Sequence, residues 1–339
     1  MAAHNGAMAI AVSGGSDSLA LMHLLAGFAQ ARGATAPLVL TVDHGLHKSS
    51  AGNAKQVAAW AKQAGLKAQV LTWTGPKPKS GIEAAARQVR YRLMGRWLLK
   101  HKIATLFVGH TSDDQAETFL LRLARGSGLD GLAAMSPRAP WPVPGFAGLT
   151  VARPLLNFRR ADLRAHLRTK GQSWLEDPMN EDPVFDRVRI RKAVAALARA
   201  GLTVPRIAAA AAHLRRARES LEIVTEAVLA RAARPMKEGA GAGGVLLDPV
   251  VLTAAPREVG LRALAGVLMV VSGQDYRPRF DSLERLFDRI GGGALGAGAT
   301  LHGCHIRPAG RRGKDFAPDA LWLSAESPRK TGSSGGKGG

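Results

Sequence analysis

The chain has 339 residues, is 46 % hydrophobic and 22 % charged, and carries 47 Lys and Arg against 26 Asp and Glu, a formal net charge of +21. That apolar content supports a real core and excludes wholesale disorder, while no apolar run approaches the ~18 residues of a membrane span. A single cysteine, Cys304, excludes an intrachain disulfide and any multi-cysteine zinc or iron–sulfur site; with no basic-then-apolar leader, the protein is expected in the cytoplasm.

In chain order, the apolar run Ala7–Val12 predicts a short buried strand that stops at Ser13-Gly14-Gly15. Leu19–Gln30, apolar at nearly every position, predicts a helix packed on a sheet. Further strands are expected at 37–42, 68–73, 105–108 and 149–152, and helices at 52–64 (with Gly65 as its cap), 82–101 and 113–124. The Pro-rich stretch Ser136–Gly148, with Trp141 and Phe146 among its prolines, reads as an ordered loop. Helices follow at 160–171, 188–200 and, long and Ala-rich, 206–234; a flexible break at 239–244 precedes helices at 257–271 and 280–290. Short strands are expected at 245–247, 300–306 and 321–323, the last two paired. Trp60, Trp73, Trp97 and Trp322 lie on apolar faces and are expected in the core.

Strands alternating with helices imply right-handed βαβ units. The fold class is therefore α/β, a five-stranded, mostly parallel, doubly wound sheet, with a smaller, mainly helical C-terminal domain. The expected divisions are 1–200, 201–327 and a disordered tail over 328–339. Ligands of such sheets bind beyond the C-terminal strand ends. The charge is regional: +9 over 153–218, equal to that of the much longer 1–152 stretch, and −1 over 219–290. This points to a docking surface for a polyanion.

The segment Ser13-Gly14-Gly15-Ser16-Asp17-Ser18 follows the first strand directly and opens a helix. Its glycines let the backbone approach a ligand, and its hydroxyls and amides can surround an anion at the helix N-terminus. Asp17 would repel phosphate unless a cation bridges them, which implies Mg²⁺. The plain alternative is an ordinary strand–turn–helix with Ser and Asp as N-caps. No Gly-Lys-Ser/Thr follows, so this is not a Walker A loop. The segment resembles the pyrophosphate loop (SGGxDS) of the N-type ATP pyrophosphatases, which adenylate a carbonyl oxygen and release pyrophosphate; the resemblance implies the PP-loop ATPase fold.

Other motifs extend it in order. Asp43-His44-Gly45-Leu46 follows the second strand, and Gly109-His110-Thr111-Ser112-Asp113-Asp114-Gln115-Ala116-Glu117-Thr118 the fourth. Arg125-Gly126-Ser127-Gly128 with Gly131-Leu132 closes the next helix, and Arg153-Pro154-Leu155-Leu156 follows the fifth strand. Then come Trp174, Asp177, Asn180 and Arg187-Val188-Arg189-Ile190-Arg191. This series, dense over 7–195, is similar to the tRNA(Ile)-lysidine synthetase family. The resemblance implies a ligase that modifies the wobble cytidine of a CAU-anticodon tRNA(Ile). ATP adenylates the oxygen on C2, and the amino group of free L-lysine displaces AMP to give lysidine. ATP, Mg²⁺, lysine and that tRNA are its implied ligands, and a homodimer is compatible with it. The series departs from the family at His47, Met179 and Val188, where Arg, Ser and Asn are usual. No N-terminal helix is expected before the first strand, and the C-terminal part is shorter than in long members.

Residue roles follow from the same resemblance. Ser13–Ser18, Gly109 and His110 are expected on ATP, with Asp17 on Mg²⁺. Asp114 and Glu117, three apart on one helix, share a face and could grip the ammonium of the amino acid or help deprotonate it; acids that merely suit the helix dipole are the alternative. Asp43 and His44 would position ATP or magnesium or handle protons, unless Asp43 only caps its turn. Arg122 and Arg125 would neutralise charge at the AMP leaving group or meet tRNA phosphate. Arg87, Arg90 and Arg92 beside Tyr91, and Arg187, Arg189 and Arg191 with Arg159 and Arg160 upstream, are expected on the tRNA backbone. The pairs His44/His47 and His302/His305 lack the neighbours a metal site needs, and Cys304 reads as a small core residue. Three alternatives compete with this reading. Small-molecule amidotransferases or synthetases such as NAD or GMP synthetase share the loop but do not explain the basic 153–218 region. A tRNA thiolase of the cytidine type needs paired cysteines. A non-catalytic RNA-binding protein with a relic nucleotide site would not need Asp17, Asp114 and Glu117 intact.

Overall fold

The computed structural model describes residues 7–78, 80–176, 186–236 and 243–326, with the backbone alone at 186 and 187. Asp177, Met179, Asn180, the Arg187 side chain, most of the 239–244 break and the 328–339 tail lie outside the described residues. The chain divides into two compact units between Arg216 and Ala217.

The first unit runs β1 (Ala9–Ala11), α1 (Ser16–Ala31), β2 (Leu38–Asp43), α2 (Ser50–Gln63), β3 (Ala68–Thr72), α3 (Ile82–Lys100), β4 (Thr105–Val108), α4 (Ser112–Ala124), α5 (Leu129–Leu132), β5 (Arg138–Pro140), β6 (Thr150–Ala152), α6 (Arg160–Thr169) and α7 (Asp186–Arg199). Helix α8 (Val204–Ala232) begins in it. Six strands lie in the order β3-β2-β1-β4-β6-β5, all parallel except β5. Strand order reverses between β1 and β4, the place where a doubly wound sheet opens a ligand crevice at its C-terminal edge.

Adjacent strand residues point to opposite faces, so a strand covered on both sides must be apolar throughout. Ala9 and Ile10 of β1 are both fully buried, each in a different layer. One layer packs Ile10 and Val12 with Leu19 and Met22 of α1, Val57 of α2 and Leu167 of α6. The other packs Leu106, Val108 and Val151 with Tyr91, Met94 and Leu98 of α3.

Two sequence readings change here. The stretch Ser136–Gly148 supplies a sixth strand, β5, on the sheet edge, where Pro140 costs no ladder bond. Its apolar residues close the α3 layer: Trp141 meets Tyr91 edge-on at 5.4 Å, and Phe146 packs on Gly95, where a Cβ would come within 2.6 Å of its ring. Of the four tryptophans expected in the core from sequence, Trp60 and Trp322 are core, while Trp97 is half-buried and stacks on His101. Trp73 is also half-buried, but it lies just past β3 at the C-terminal edge of the sheet, close to His44.

The second unit contains β7 (Ala233–Met236), β8 (Gly244–Leu247), α9 (Pro249–Ala254), α10 (Arg257–Ser272), α11 (Phe280–Gly291), β9 (Ala299–Leu301), β10 (Cys304–Pro308) and β11 (Leu321–Ala325). Its strands form an antiparallel sheet in the order β7-β8-β11-β10-β9. Helix α10 is buried over most of its length, and α11 adds Leu283, Leu286, Phe287 and Ile290 at helical spacing. The segment read as one strand at 300–306 is a hairpin. Its two-residue turn, His302-Gly303, has φ values of 56° and 72°, as a type I′ turn requires. Cys304 is fully buried in this core and its thiol is pushed up to about 11 by that burial, as a small core residue.

Candidate active site

Strand β1 ends at Ala11, and the chain turns through Ser13–Gly15 into α1. Gly14 has φ +94°, a conformation that side chains resist, and its carbonyl accepts from the Leu175 amide at 2.9 Å. The Ser18 hydroxyl donates to the Gly15 carbonyl (2.9 Å) and accepts from the Ser13 amide (3.2 Å), which fixes the loop from inside. Gly15 is the N-cap of α1, and no side chain caps that helix. The reading of these serines and Asp17 as ordinary caps therefore fails. The first-turn amides of α1 keep their capacity for an anion. Gly109, after β4, lies against this turn so closely that a Cβ would sit 2.8 Å from the Asp17 carbonyl oxygen. His110 follows it at the head of α4.

At the end of β2, Asp43 Oδ1 accepts from the Gly45 amide (3.0 Å) and the Ser50 hydroxyl (2.6 Å). The Ser50 bond is the main force holding its carboxyl below the usual range. Asp43 is thus a turn cap in this structure, whatever else it does. His44 Nε2 accepts from Arg90 Nε at 3.3 Å, which assigns the ring proton to Nδ1. Burial, with Arg90 and Lys77 nearby, lowers the His44 pKa to about 4. The imidazole is neutral at pH 7 and meets Trp73 edge-on at 6.3 Å, while Lys77 Nζ lies 3.8 Å over the Trp73 ring.

The His44 shift has a thermodynamic consequence. Below its ordinary value of 6.5 the unfolded ring takes up a proton that the folded ring refuses. Its contribution is complete above pH 6.5 and is lost as pH falls toward 4. Between pH 7 and 4, wild type is expected to lose about 1 kcal/mol more than His44→Gln in urea unfolding, after discounting for solvent screening of a partly exposed ring. Equal slopes in the two proteins would show that the ring titrates normally.

The centre of the site is a carboxylate cluster around one guanidinium. Thr111 caps α4, and Asp114 closes a capping box: its Oδ2 accepts from the Thr111 amide and hydroxyl, both at 2.8 Å. Arg160, the first residue of α6, uses all three of its nitrogens. Nε donates to Asp17 Oδ2 (2.8 Å), Nη2 to Asp114 Oδ1 (2.9 Å) and Nη1 to Glu117 Oε1 (3.4 Å). Arg191 of α7 donates to both Glu117 oxygens, at 2.7 and 3.4 Å. Glu117 is only 5 % exposed, so these two cations are what permit a charge there. Burial raises the Asp17 carboxyl pKa, more than Arg160 lowers it. Burial also pushes Asp114 upward, but Arg160, His110 and Thr111 outweigh it and hold that carboxyl below the usual range.

These contacts show where the arginines expected on phosphate and tRNA lie. Arg160 and Arg191, read as tRNA contacts, are engaged with carboxylates, and Arg159 pairs with Asp113 at 3.2 Å. Arg122 Nη1 donates to the carbonyls of Gly131 (2.7 Å) and Ala134 (3.2 Å), a brace between α4 and the turn after α5. Arg90 holds His44, and Arg87 lies 5.1 Å over the ring of Tyr91, which is buried. Arg125 and Arg189 are exposed. Sequence reasoning missed Trp73 as a site residue and Arg160 as its hub; nothing local distinguishes Arg160 from its neighbour Arg159. Among the described residues, no group of three or more His, Cys, Asp or Glu is arranged to hold a metal by itself. No single described helix is long and apolar enough to cross a membrane.

Residues 2–198 match the PP-loop domain family. The chain is 40 % identical over 305 residues to a tRNA(Ile)-lysidine synthase of Ruegeria pomeroyi, covering 90 % of this chain and 70 % of that protein. It is 40 % identical over 334 residues to that of Methylobacterium nodulans, covering 96 % and 92 %. Among solved structures, the U34-tRNA thiolase NcsA from Methanococcus maripaludis with its [4Fe-4S] cluster aligns with a TM-score of 0.51 and 16 % identity, covering 64 % of this chain and 72 % of that one. That likeness is one of fold.

Proposed function

This chain belongs to the tRNA(Ile)-lysidine synthase family of PP-loop proteins, and from that premise we propose that it joins free L-lysine to C2 of the wobble cytidine of a CAU-anticodon tRNA(Ile). The protein is an ATP-dependent ligase that acts on tRNA. The observation that carries the fuller reading is the adjacency of two opposite subsites. An anion-ready loop at Ser13–Ser18 lies beside two carboxylates, Asp114 and Glu117, which share one cation with the loop's own Asp17.

The triphosphate lies on the Ser13–Ser18 turn, where Gly14 and Gly15 present backbone and α1 presents its positive end. Asp17, the cluster's carboxylate on the loop, is the residue that would hold a magnesium ion, which would offset the repulsion between phosphate and that carboxylate. The cytosine O2 attacks the α-phosphorus, pyrophosphate leaves, and C2 becomes an electrophile bearing an AMP leaving group. The lysine amine, in its unprotonated form, then forms the C2–N bond and gives up one proton to solvent, and the C2–O bond breaks with the oxygen retained on AMP. Asp114 and Glu117 grip the lysine ammonium. Asp114, held ionised by its neighbours, is better suited to gripping a cation than to accepting a proton from it. The expected place of action is the cytoplasm. The thiolase alternative finds no support in a chain whose one thiol, Cys304, is buried and pushed up to about 11.

The test supplies ATP, Mg²⁺ and radiolabelled lysine to CAU- and UAU-anticodon transcripts. Label is expected in the CAU transcript alone. No incorporation, or equal incorporation into both, would sink the proposal.

A further inference from the structure

Arg160 stands between the two subsites. Its fork reaches from Asp17 on the phosphate loop to Asp114 and Glu117 on α4. A lysine ammonium entering at Asp114 and Glu117 thus meets carboxylates that a guanidinium already holds, and two cations cannot share them without repulsion.

The same helix presents its arginines to the phosphate loop. Arg164, one turn along α6, donates through Nε to the Ser16 hydroxyl at 3.3 Å. The Arg160 amide is pinned to Asp113 Oδ2 at 2.8 Å, so its backbone stays in place while its long side chain can turn. A triphosphate on Ser13–Ser18 would set several negative charges beside Asp17, within reach of the Arg160 Nε that bonds it. Phosphate is a favoured partner of a guanidinium fork.

We propose that Arg160 is a positioning residue that makes the lysine subsite conditional on nucleotide: without ATP its guanidinium occupies Asp114 and Glu117, and with a triphosphate on the loop it turns to phosphate and leaves those carboxylates to lysine. The proposal rests on the lysine reading above. With both ligands bound, the exchange swaps one charge pairing for another, so neither subsite is left with uncompensated charge. The coupling is reciprocal: lysine tightens nucleotide by the same factor that nucleotide tightens lysine.

The experiment is calorimetric titration of L-lysine into the full chain, with and without Mg²⁺ and α,β-methylene-ATP, which cannot lose pyrophosphate. Wild type is expected to bind lysine about 10-fold more tightly with the nucleotide, within the usual range of coupling between sites. Arg160→Gln is expected to bind lysine at least as tightly as nucleotide-loaded wild type, and within about twofold equally with and without nucleotide. Arg160→Lys, with one ammonium in place of a three-nitrogen fork, is expected to fall between. Equal lysine affinity in wild type with and without nucleotide overturns the switch but leaves the lysine reading standing. So does full coupling in Arg160→Gln, or weaker lysine binding by that variant in both states, the mark of a purely structural arginine. No lysine binding by wild type in either state overturns the lysine reading and the switch with it. If Arg160→Gln loses its far-ultraviolet dichroism, Arg160→Lys and the wild-type comparison still decide.

Discussion

Replacing Asp17 by alanine is expected to lower ATP-dependent AMP release by about 10²–10³-fold, the cost typical of deleting one group that manages charge at a reacting centre. Affinity for tRNA is expected to stay within about twofold, because that affinity comes from phosphate neutralisation by Lys and Arg elsewhere on the surface. The two effects separate because Asp17 is the one carboxylate of the cluster on the phosphate loop itself. The fold should persist: when Asp17 is removed, Arg160 keeps Asp114 and Glu117 as partners, so no buried cation is stranded. AMP release from labelled ATP and filter retention of labelled tRNA at one fixed salt concentration measure the two quantities. A parallel loss of both would mean that Asp17 supports the fold or a shared site, and the assignment to ATP would fall.

Gly109→Ala is expected to be nearly as damaging by a different route. The added Cβ would lie 2.8 Å from the Asp17 carbonyl oxygen, 2.9 Å from its carbonyl carbon and 2.9 Å from the Ser18 amide nitrogen. All three are backbone atoms of the first turn of α1, so no side chain can swing aside. The start of α1 must move away from the end of β4, and the phosphate loop moves with it. Overpacking of this kind costs about 1–3 kcal/mol. A displacement near 1 Å at a reacting centre costs about 10²-fold in rate. Gly27→Ala is the matched control: it lies on the exposed side of α1, and a Cβ there meets nothing within 4 Å. That change is expected to stabilise by about 0.5–1 kcal/mol through helix propensity. Urea midpoints and AMP release read both variants. Full activity in Gly109→Ala would show that β4 and α1 can separate without cost to the site.

Much of the first unit was legible in the sequence because its signals are local. The strand at Thr105–Val108 needs only a short apolar run between polar turns, and the structure returns the same bounds. The phosphate loop was legible for the same reason, since its six residues are contiguous and each acts on its neighbours. Where sequence reading failed, the partner was remote. The stretch 300–306 splits into two strands at the His302-Gly303 turn, and β10 pairs with both β9 and the distant β11. The stretch Arg138–Pro140 becomes a strand only because β6 offers an edge.

The same distinction runs through the site. Residue types and order alone settled that a phosphate loop follows the first strand, that Asp114 and Glu117 share a helix face, and that the chemistry belongs to a tRNA-modifying PP-loop enzyme. The first two follow from contiguous motifs and periodicity, which act over a few residues; the third follows from the resemblance of the ordered motif series to a known family. Only the tertiary structure decided which arginines are surface charge and which are internal. Arg159 and Arg160 are adjacent and identical in type, yet Arg159 meets Asp113 while Arg160 reaches across 143 positions to Asp17 and also to Asp114 and Glu117. Arg159 is the extended N-cap of α6 and Arg160 its first helical residue, so the change of backbone conformation at the helix start separates a half-exposed ion pair from the hub of the site. Which carboxylates wait in that direction depends on how α6, α4 and the loop after β1 are brought together, and that is a property of the folded sheet.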